Sequence, residues 1–251
     1  MVKPKGVVHV GAHTGEESRN YNELVFGPCL WVEANPNLIP HLREKFKDTN
    51  DLVVQAAIWD ESGKTLDFNV ANNSLSSSLF TFGLDSKRYP SLFMSETISI
   101  QTKRLDEIIP KDFIFNFVNL DIQGAELSAI KSLGERIKDV DYIFSEVNRK
   151  EIYEGAPNVF EIDSYLKQFE FERVVTCWVP FAGWGDALYV RRPLLKANLV
   201  RRRIGSFVTK GFHIRYISKK IIHYSVRIPK GYLVNKFSKS RNQGDHVKYF
   251  K

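Results

Sequence analysis

The chain has 251 residues, 43% of them hydrophobic and 13% aromatic, enough for one large α/β domain with an appendage and a substantial core. It contains no apolar run of 18 residues, so no transmembrane helix is expected, and with a first strand within ten residues of Met1 no signal peptide is expected. The net charge of +7 is uneven: residues 194–251 hold 15 Lys/Arg against one acid, Asp245, while the rest holds 21 basic and 28 acidic residues.

In chain order, residues 7–10 read as a strand and 16–24 as its helix. A second strand covers Cys29–Glu33. Asn35-Pro36 then starts a helix, Asn as N-cap and Pro at the first position, with Leu38, Ile39, Leu42 and Phe46 at helical spacing. A third strand is expected over 52–58, a turn over 60–63, and a hairpin arm over 64–70. Residues 72–78 (NNSLSSS) form a polar loop, and 81–95 continue irregularly. Residues 96–101 alternate as a strand, and 104–109 form a short helix closed by Pro110. The most apolar strand, 113–121, is expected at the centre of the sheet, followed by a helix over 125–133. A fifth strand covers 141–146 and a helix 159–168. Residues 172–179 and 187–191 form a closing strand pair around a loop at 183–186. Strands alternating with helices, then an antiparallel pair, describe an α/β fold with a doubly wound, mostly parallel sheet. Domain boundaries are expected at 1–193 and 194–251, the second part a basic, partly helical tail with disorder from Ser238. Cys29 and Cys177 match no metal or disulfide spacing and read as free thiols in a reducing cytoplasm.

Three strand ends carry the chemistry. The first strand runs into Gly11-x-x-x-Gly15, glycines that let backbone approach a ligand without a Cβ in the way. Glu33 ends the second strand, where an acid accepts hydrogen bonds from ribose hydroxyls. The glycine spacing differs from the dinucleotide pattern G-x-G-x-x-G, which favours S-adenosylmethionine, a ligand with no pyrophosphate, over NAD. His13 is either a ligand contact or a plain loop residue. The stretch VNLDIQGAE brings Asp121 to the carboxyl edge of the sheet, and Glu126 sits in the first turn of the next helix, facing its positive end.

The segments HVGAHTGEE, WVEANP, VVQAAIWDESG, NSLSSSLF, LDIQGAELSAIKSL, IFSEV and GDALYVRR, in that order, resemble the FkbM-type methyltransferases, a branch of the class I S-adenosylmethionine-dependent enzymes. The resemblance spans residues 6–192. It implies a Rossmann-like seven-stranded sheet with an antiparallel terminal strand, and O-methylation of a sugar, glycan or small-molecule hydroxyl. It further implies that Gly11, Ala12, His13 and Gly15 wrap the methionine end of the cofactor. Glu33 would hold the ribose with Asn35 beside it, and Ala57 would lie near the adenine. Asp121 would stand near the reactive methyl, with Gln123 and Glu146 completing the site. Residues 74–78, including Ser76 and Ser77, would form a loop over cofactor or substrate. The chain departs from related folds in having only six residues before its first strand, where lid helices often stand.

Methyl transfer from a sulfonium is an in-line displacement, so the protein mainly aligns the nucleophile and removes its proton. A sugar hydroxyl needs a base within reach or a metal that lowers its pKa. Asp121 and Glu146 end neighbouring strands. One can act as base while the other orients the hydroxyl or completes a divalent-cation site; acids capping helices at strand ends is the plainer alternative. The turn after Asp121 lacks the Pro-Pro-aromatic sequence that amino-group methyltransferases typically place there. Trp178, Trp184 and Asp186 suit stacking on a sugar face, and edge-strand packing explains them equally well. The tail fits an anionic membrane surface, a protein partner or, less well, nucleic acid. Two rival readings stand beside the sugar O-methyltransferase: an RNA 2′-O-methyltransferase using the tail, and a non-catalytic cofactor-binding scaffold.

Overall fold

The structure, a computed structural model, describes residues 4–24, 26–72, 76–81, 93–149, 152–179 and 182–196. The expected helices and disorder of the tail, and most of the irregular stretch 81–95, lie outside these residues.

Seven strands form the main sheet in the order β3-β2-β1-β7-β8-β10-β9. They are β1 (Val7–Val10), β2 (Cys29–Glu33), β3 (Leu52–Gln55), β7 (Phe117–Leu120), β8 (Tyr142–Asn148), β9 (Phe171–Trp178) and β10 (Trp184–Arg191). Strands β3, β2, β1, β7 and β8 run parallel, and β10 is antiparallel to both its neighbours. This is the expected doubly wound, mostly parallel arrangement with one antiparallel strand. The central strands are apolar and buried on both faces, as parallel strands covered by helices must be. On one face Val8, Val10, Leu30, Val32, Val118, Leu120, Ile143 and Val147 pack against α3 (Leu105–Ile108), α4 (Glu126–Ser132) and α5 (Val159–Lys167). On the other, Trp31 stacks on Phe46 of α2 (Ile39–Phe46) with ring centroids 4.8 Å apart, and Tyr21 of α1 (Ser18–Glu23) lies 5.6 Å from Trp31. The helices change face between β1 and β7, which makes the carboxyl edge there a topological switch point, the place where open α/β sheets bind ligands.

Helix α5 starts with a full capping box: the Asn158 side chain accepts from the Phe160 and Glu161 N–H groups, and Glu161 accepts from the Asn158 N–H. Arg173 grips Asp163 with two 2.9 Å hydrogen bonds while the Tyr189 hydroxyl donates to the same carboxylate, tying α5 to β9 and β10. The last described element, α6 (Arg192–Lys196), spans the expected boundary at residue 193. Among the described residues no helix is long and apolar enough to cross a membrane, and Cys29 and Cys177 are free thiols.

Four expectations change. The strand expected over 52–58 is two strands: β3 stops at Gln55 because β2 ends at Glu33, whose carbonyl takes the Ala56 N–H at 3.0 Å. The chain then enters a second sheet, order β4-β6-β5, of β4 (Ala57–Ile58), β5 (Thr65–Ala71) and β6 (Met94–Lys103). The arm expected at 64–70 is therefore not a hairpin partner of the strand before it. β6 lies between them, and Thr102 ties both sides by accepting from the Lys64 N–H and donating to the Glu61 carbonyl. The central strand begins at Phe117 rather than Phe113. Trp184 and Asp186, expected in a loop, are strand residues paired with Asn148 and Glu146. Gly183, at φ +84°, completes the turn and Trp184 closes it by accepting the Val179 N–H.

Candidate active site

Strand register places four acids along one edge. Glu33 follows Val32, paired through Val10 to Leu120, and Asp121 follows Leu120; Leu120 pairs with Ser145, and Glu146 pairs with Asp186. Because side chains alternate along a strand, Glu33, Asp121, Glu146 and Asp186 all belong to the α1/α2 face, at its carboxyl-terminal rim. Glu33, Glu146 and Asp186 are buried, while Asp121 is partly open.

The loop after β1 is bent by three left-handed residues: Gly11 at φ +86°, His13 at +47° and Gly15 at +67°. Gly11 and Ala12 both donate their N–H to the Val32 carbonyl, at 2.9 and 3.0 Å. The glycines serve packing within the protein. A Cβ on Gly11 would lie 2.0 Å from the Asp121 carbonyl oxygen, and one on Gly15 would lie 2.8 Å from the Phe46 ring. Lys45 of α2 closes the loop from below, donating to the Thr14 and Gly15 carbonyls at 2.9 and 2.6 Å, and partial burial lowers its pKa. Glu33 accepts the His13 N–H at 2.7 Å and the Asn35 N–H at 2.8 Å. Burial pushes its pKa up, and these backbone donors pull against the shift. The Asn35 side chain is committed to the Asn37 N–H as the cap of the turn Pro36–Leu38. Ala57 is fully buried in β4.

Beneath this loop the Tyr21 hydroxyl accepts from Asn119 at 2.7 Å and sits 2.9 Å from His9 Nδ1. The Tyr21 pKa is raised well above normal by burial. This polar set fills the inner face between β1, β7 and α1.

Gln123 joins the second half of the site. It is buried, with φ +55°, a left-handed conformation that costs a non-glycine residue about 1–2 kcal/mol. Its side chain and carbonyl are held on several sides, which is how such strain persists. Its amide nitrogen donates to Asp121 at 2.7 Å and to Glu146 at 3.3 Å. Its amide oxygen accepts from the Tyr153 hydroxyl at 2.6 Å, and its backbone carbonyl accepts from Ser78 Oγ at 2.6 Å. Glu126 completes the loop by accepting the Gly124 N–H, at 3.1 and 3.0 Å on its two oxygens, and the Ile122 N–H at 3.2 Å. Burial pushes its pKa up to about 7. Glu126 is thus a clamp on the Asp121–Gly124 turn as well as an acid at a helix start.

Tyr153 is the residue that sequence reasoning missed, and Ser78, at the end of the expected 74–78 loop, reaches the site by way of the Gln123 carbonyl. Ser78 lies at the end of the serine run, and its backbone bridges to Asn69 of β5 in both directions. Ser77 turns inward to accept the Ala71 N–H, and Ser76 is buried. Tyr153 has no motif around it. The segments carrying Ser78 and Tyr153 are joined by the Glu154 N–H to the Thr81 carbonyl. Together they enclose Gly124, where a Cβ would lie 3.0 Å from Ala156 and 3.2 Å from Phe80. Trp178 separates from Trp184: it packs on the opposite face with the main core, and the Arg149 guanidinium stacks 3.7 Å above its ring. A divalent cation does not fit between Asp121 and Glu146 as arranged, since the Gln123 amide nitrogen takes the bridging place. Among the described residues no three His, Cys, Asp or Glu side chains converge on a metal geometry.

Residues 9–173 match a family described as the methyltransferase FkbM domain. A 2-O-methyltransferase, NoeI, from Sinorhizobium fredii is 26% identical over 183 residues, covering 68% of this chain and 74% of that protein. Among solved structures, a ribosomal protein L11 methylase from Lactobacillus delbrueckii aligns over 76% of this chain and 72% of its own, with a TM-score of 0.44 and 13% identity. The magnesium protoporphyrin IX methyltransferase of Synechocystis PCC 6803, with bound SAM, aligns over 75% and 71%, with a TM-score of 0.42 and 10% identity.

Proposed function

The chain belongs to the FkbM methyltransferase family, and from that premise we propose that it is an S-adenosylmethionine-dependent O-methyltransferase acting on a neutral sugar or glycan hydroxyl. The observation that carries this reading is the Asp121–Gln123–Glu146 bridge at the switch point of the sheet, beside the Glu33 loop.

The residues around β1 and β2 fit S-adenosylmethionine. Glu33 is a buried carboxylate whose oxygens are already aimed by the His13 and Asn35 N–H groups, an acceptor set suited to a ribose diol. Gly11, Ala12, His13 and Gly15 would hold the methionine end. Bound there, the cofactor supplies a methyl group on a sulfonium, activated without metal or general acid. The chain's own task is then to bring up a hydroxyl and take its proton. Asp121, the most open of the four acids, is the proposed base. Gln123 holds the Asp121 and Glu146 carboxylates at a fixed separation, and Glu146 orients the incoming hydroxyl. The turn that carries Asp121 is locked by Glu126 and Gly11, so its carboxylate is placed before substrate arrives.

The row of Glu33, Asp121, Glu146 and Asp186 disfavours an acceptor that carries phosphates close to the reacting oxygen. That weighs against RNA and for a neutral polyol. The 2-O-methyltransferase relative supports oxygen rather than nitrogen as the methylated atom. The test is a labelled-methyl transfer assay against free glycans, sugar nucleotides and RNA, with and without a chelator. Transfer to a neutral glycan that survives chelation and falls by at least about a hundredfold in Asp121→Asn is expected. Full activity in Asp121→Asn removes the base assignment, and transfer to RNA alone refutes the acceptor class.

A further inference from the structure

Asn148 ends β8 on the same face as Glu146, two residues further toward and past the rim. The residue is 3% exposed, yet Oδ1 has no hydrogen-bond partner among the described residues. Buried amide oxygens are almost always paired, because an unpaired one forfeits its hydration with nothing in return. Directly across the strand pair stands Trp184, and two pairs back, on the same face, stand Glu146 and Asp186. The backbone position of Asn148 therefore lies roughly 7 Å along the strand from that of Glu146, at two strand residues of about 3.3 Å each.

We infer that Asn148 is the acceptor-recognition residue of the proposed site, its Oδ1 accepting a hydrogen bond from a second hydroxyl of the molecule being methylated. The inference rests on the glycan reading and deepens it: the acceptor presents two donors, one to the Asp121/Glu146 pair and one to Asn148. Two neighbouring polar side chains are already engaged. Gln123 has its amide spent on both acids and on Tyr153, and Glu33 belongs to the first loop. A carboxylate at position 148 would add charge beside Glu146 and Asp186, whereas an amide oxygen accepts from a neutral hydroxyl without it. A site that offers a buried acceptor to a substrate O–H rejects an analogue lacking it, since the acceptor is then left dry and unpaired. The free protein bears that cost until substrate binds.

The experiment uses the full chain and three variants, Asn148→Leu, Asn148→Ala and Asn148→Asp. Thermal unfolding is measured without ligand. Methyl transfer is measured on methyl glucoside, galactoside and mannoside and on their monodeoxy analogues. Asn148→Leu, similar in size and without the orphaned oxygen, is expected to melt at or above the wild-type temperature. Its KM for the accepted glycoside is expected to rise roughly ten- to hundredfold with kcat little changed. Asn148→Ala guards against a misfolded Leu variant by deleting the same oxygen without bulk, and Asn148→Asp, which keeps an acceptor, is expected to retain more affinity than either. The deoxy analogue missing the second hydroxyl is expected to bind the wild type as poorly as the parent glycoside binds Asn148→Leu, with no further loss when both are combined. A melting temperature that drops in both Leu and Ala variants marks Asn148 as structural and overturns the inference. An unchanged KM overturns it too, with the glycan reading intact. A wild type inert on every glycoside overturns the glycan reading instead, and the melting comparison then decides Asn148 by itself.

Discussion

Glu126 is expected to make the stability of this protein fall as pH rises from weakly acidic to neutral. Its carboxyl is fully buried, and burial lifts its pKa from 4.5 to about 7 against the opposing pull of the N–H groups it binds. Between those values the folded chain holds a proton at this site that the unfolded chain has lost. Stability from this group is therefore fully present below about pH 4.5 and disappears as pH rises through 7, at up to about 1.4 kcal/mol per pH unit. A shift from 4.5 to about 7 gives a total of about 3 kcal/mol across the window. Glu126→Gln removes the titration. The neutral amide keeps one acceptor for the Gly124 and Ile122 N–H groups and turns an NH2 toward the other donor position, costing about 1–2 kcal/mol at every pH. The variant should thus be less stable than wild type at pH 5, and the gap should close or reverse by pH 8. Urea unfolding of both proteins at pH 5, 6, 7 and 8, followed by tryptophan fluorescence, measures this difference directly. Parallel stability–pH curves for the two proteins would refute the reasoning, because every other titrating group is common to both.

Three further outcomes are expected. Gly11→Ala combines a left-handed φ of +86° with a Cβ 2.0 Å from the Asp121 carbonyl, so it should cost about 3 kcal/mol or more. It should weaken S-adenosylmethionine binding through displacement of the β1 and β7 loops, read by calorimetry, and an unperturbed melting curve would count against the packing role. Gln123→Leu removes the donor shared by Asp121 and Glu146, and Tyr153→Phe removes only the hydroxyl that orients that donor. Turnover should fall by about a hundredfold in the first and about tenfold in the second, the cofactor Kd staying within a factor of two or three. Equal turnover in Tyr153→Phe and wild type would show that Tyr153 positions nothing.

The parts of the site that can be read along the chain are those set by local pattern. Apolar runs that stop at Glu33 and Asp121 mark parallel strands and the acids at their ends, whereas the strand expected to end at Glu146 continues to Asn148 because β10 pairs with it that far. Ser78 and Tyr153 reach Gln123 from 45 and 30 residues away, and no periodicity or spacing encodes such contacts. The strand over 52–58 carries one continuous apolar pattern, yet it divides at Ala56 because the partner strand is exhausted there. Trp178 and Trp184 look alike as aromatics beside one loop, but register assigns them to opposite faces of the sheet.

By itself, then, the sequence determined the alternation of strands and helices, the placing of Glu33 and Asp121 at strand ends, and the two glycines that bend the first loop. Each of these follows from interactions within a few residues of chain: hydrophobic period, turn chemistry and capping. The tertiary structure alone decided that one amide bridges two acids, that Gly11 yields its Cβ space to the Asp121 carbonyl, that Glu126 clamps the turn it follows, and that the Asn148 oxygen is left dry. Those facts depend on which strands become neighbours. Neighbour choice is set by burying the whole apolar surface at once, which no local stretch of sequence can express.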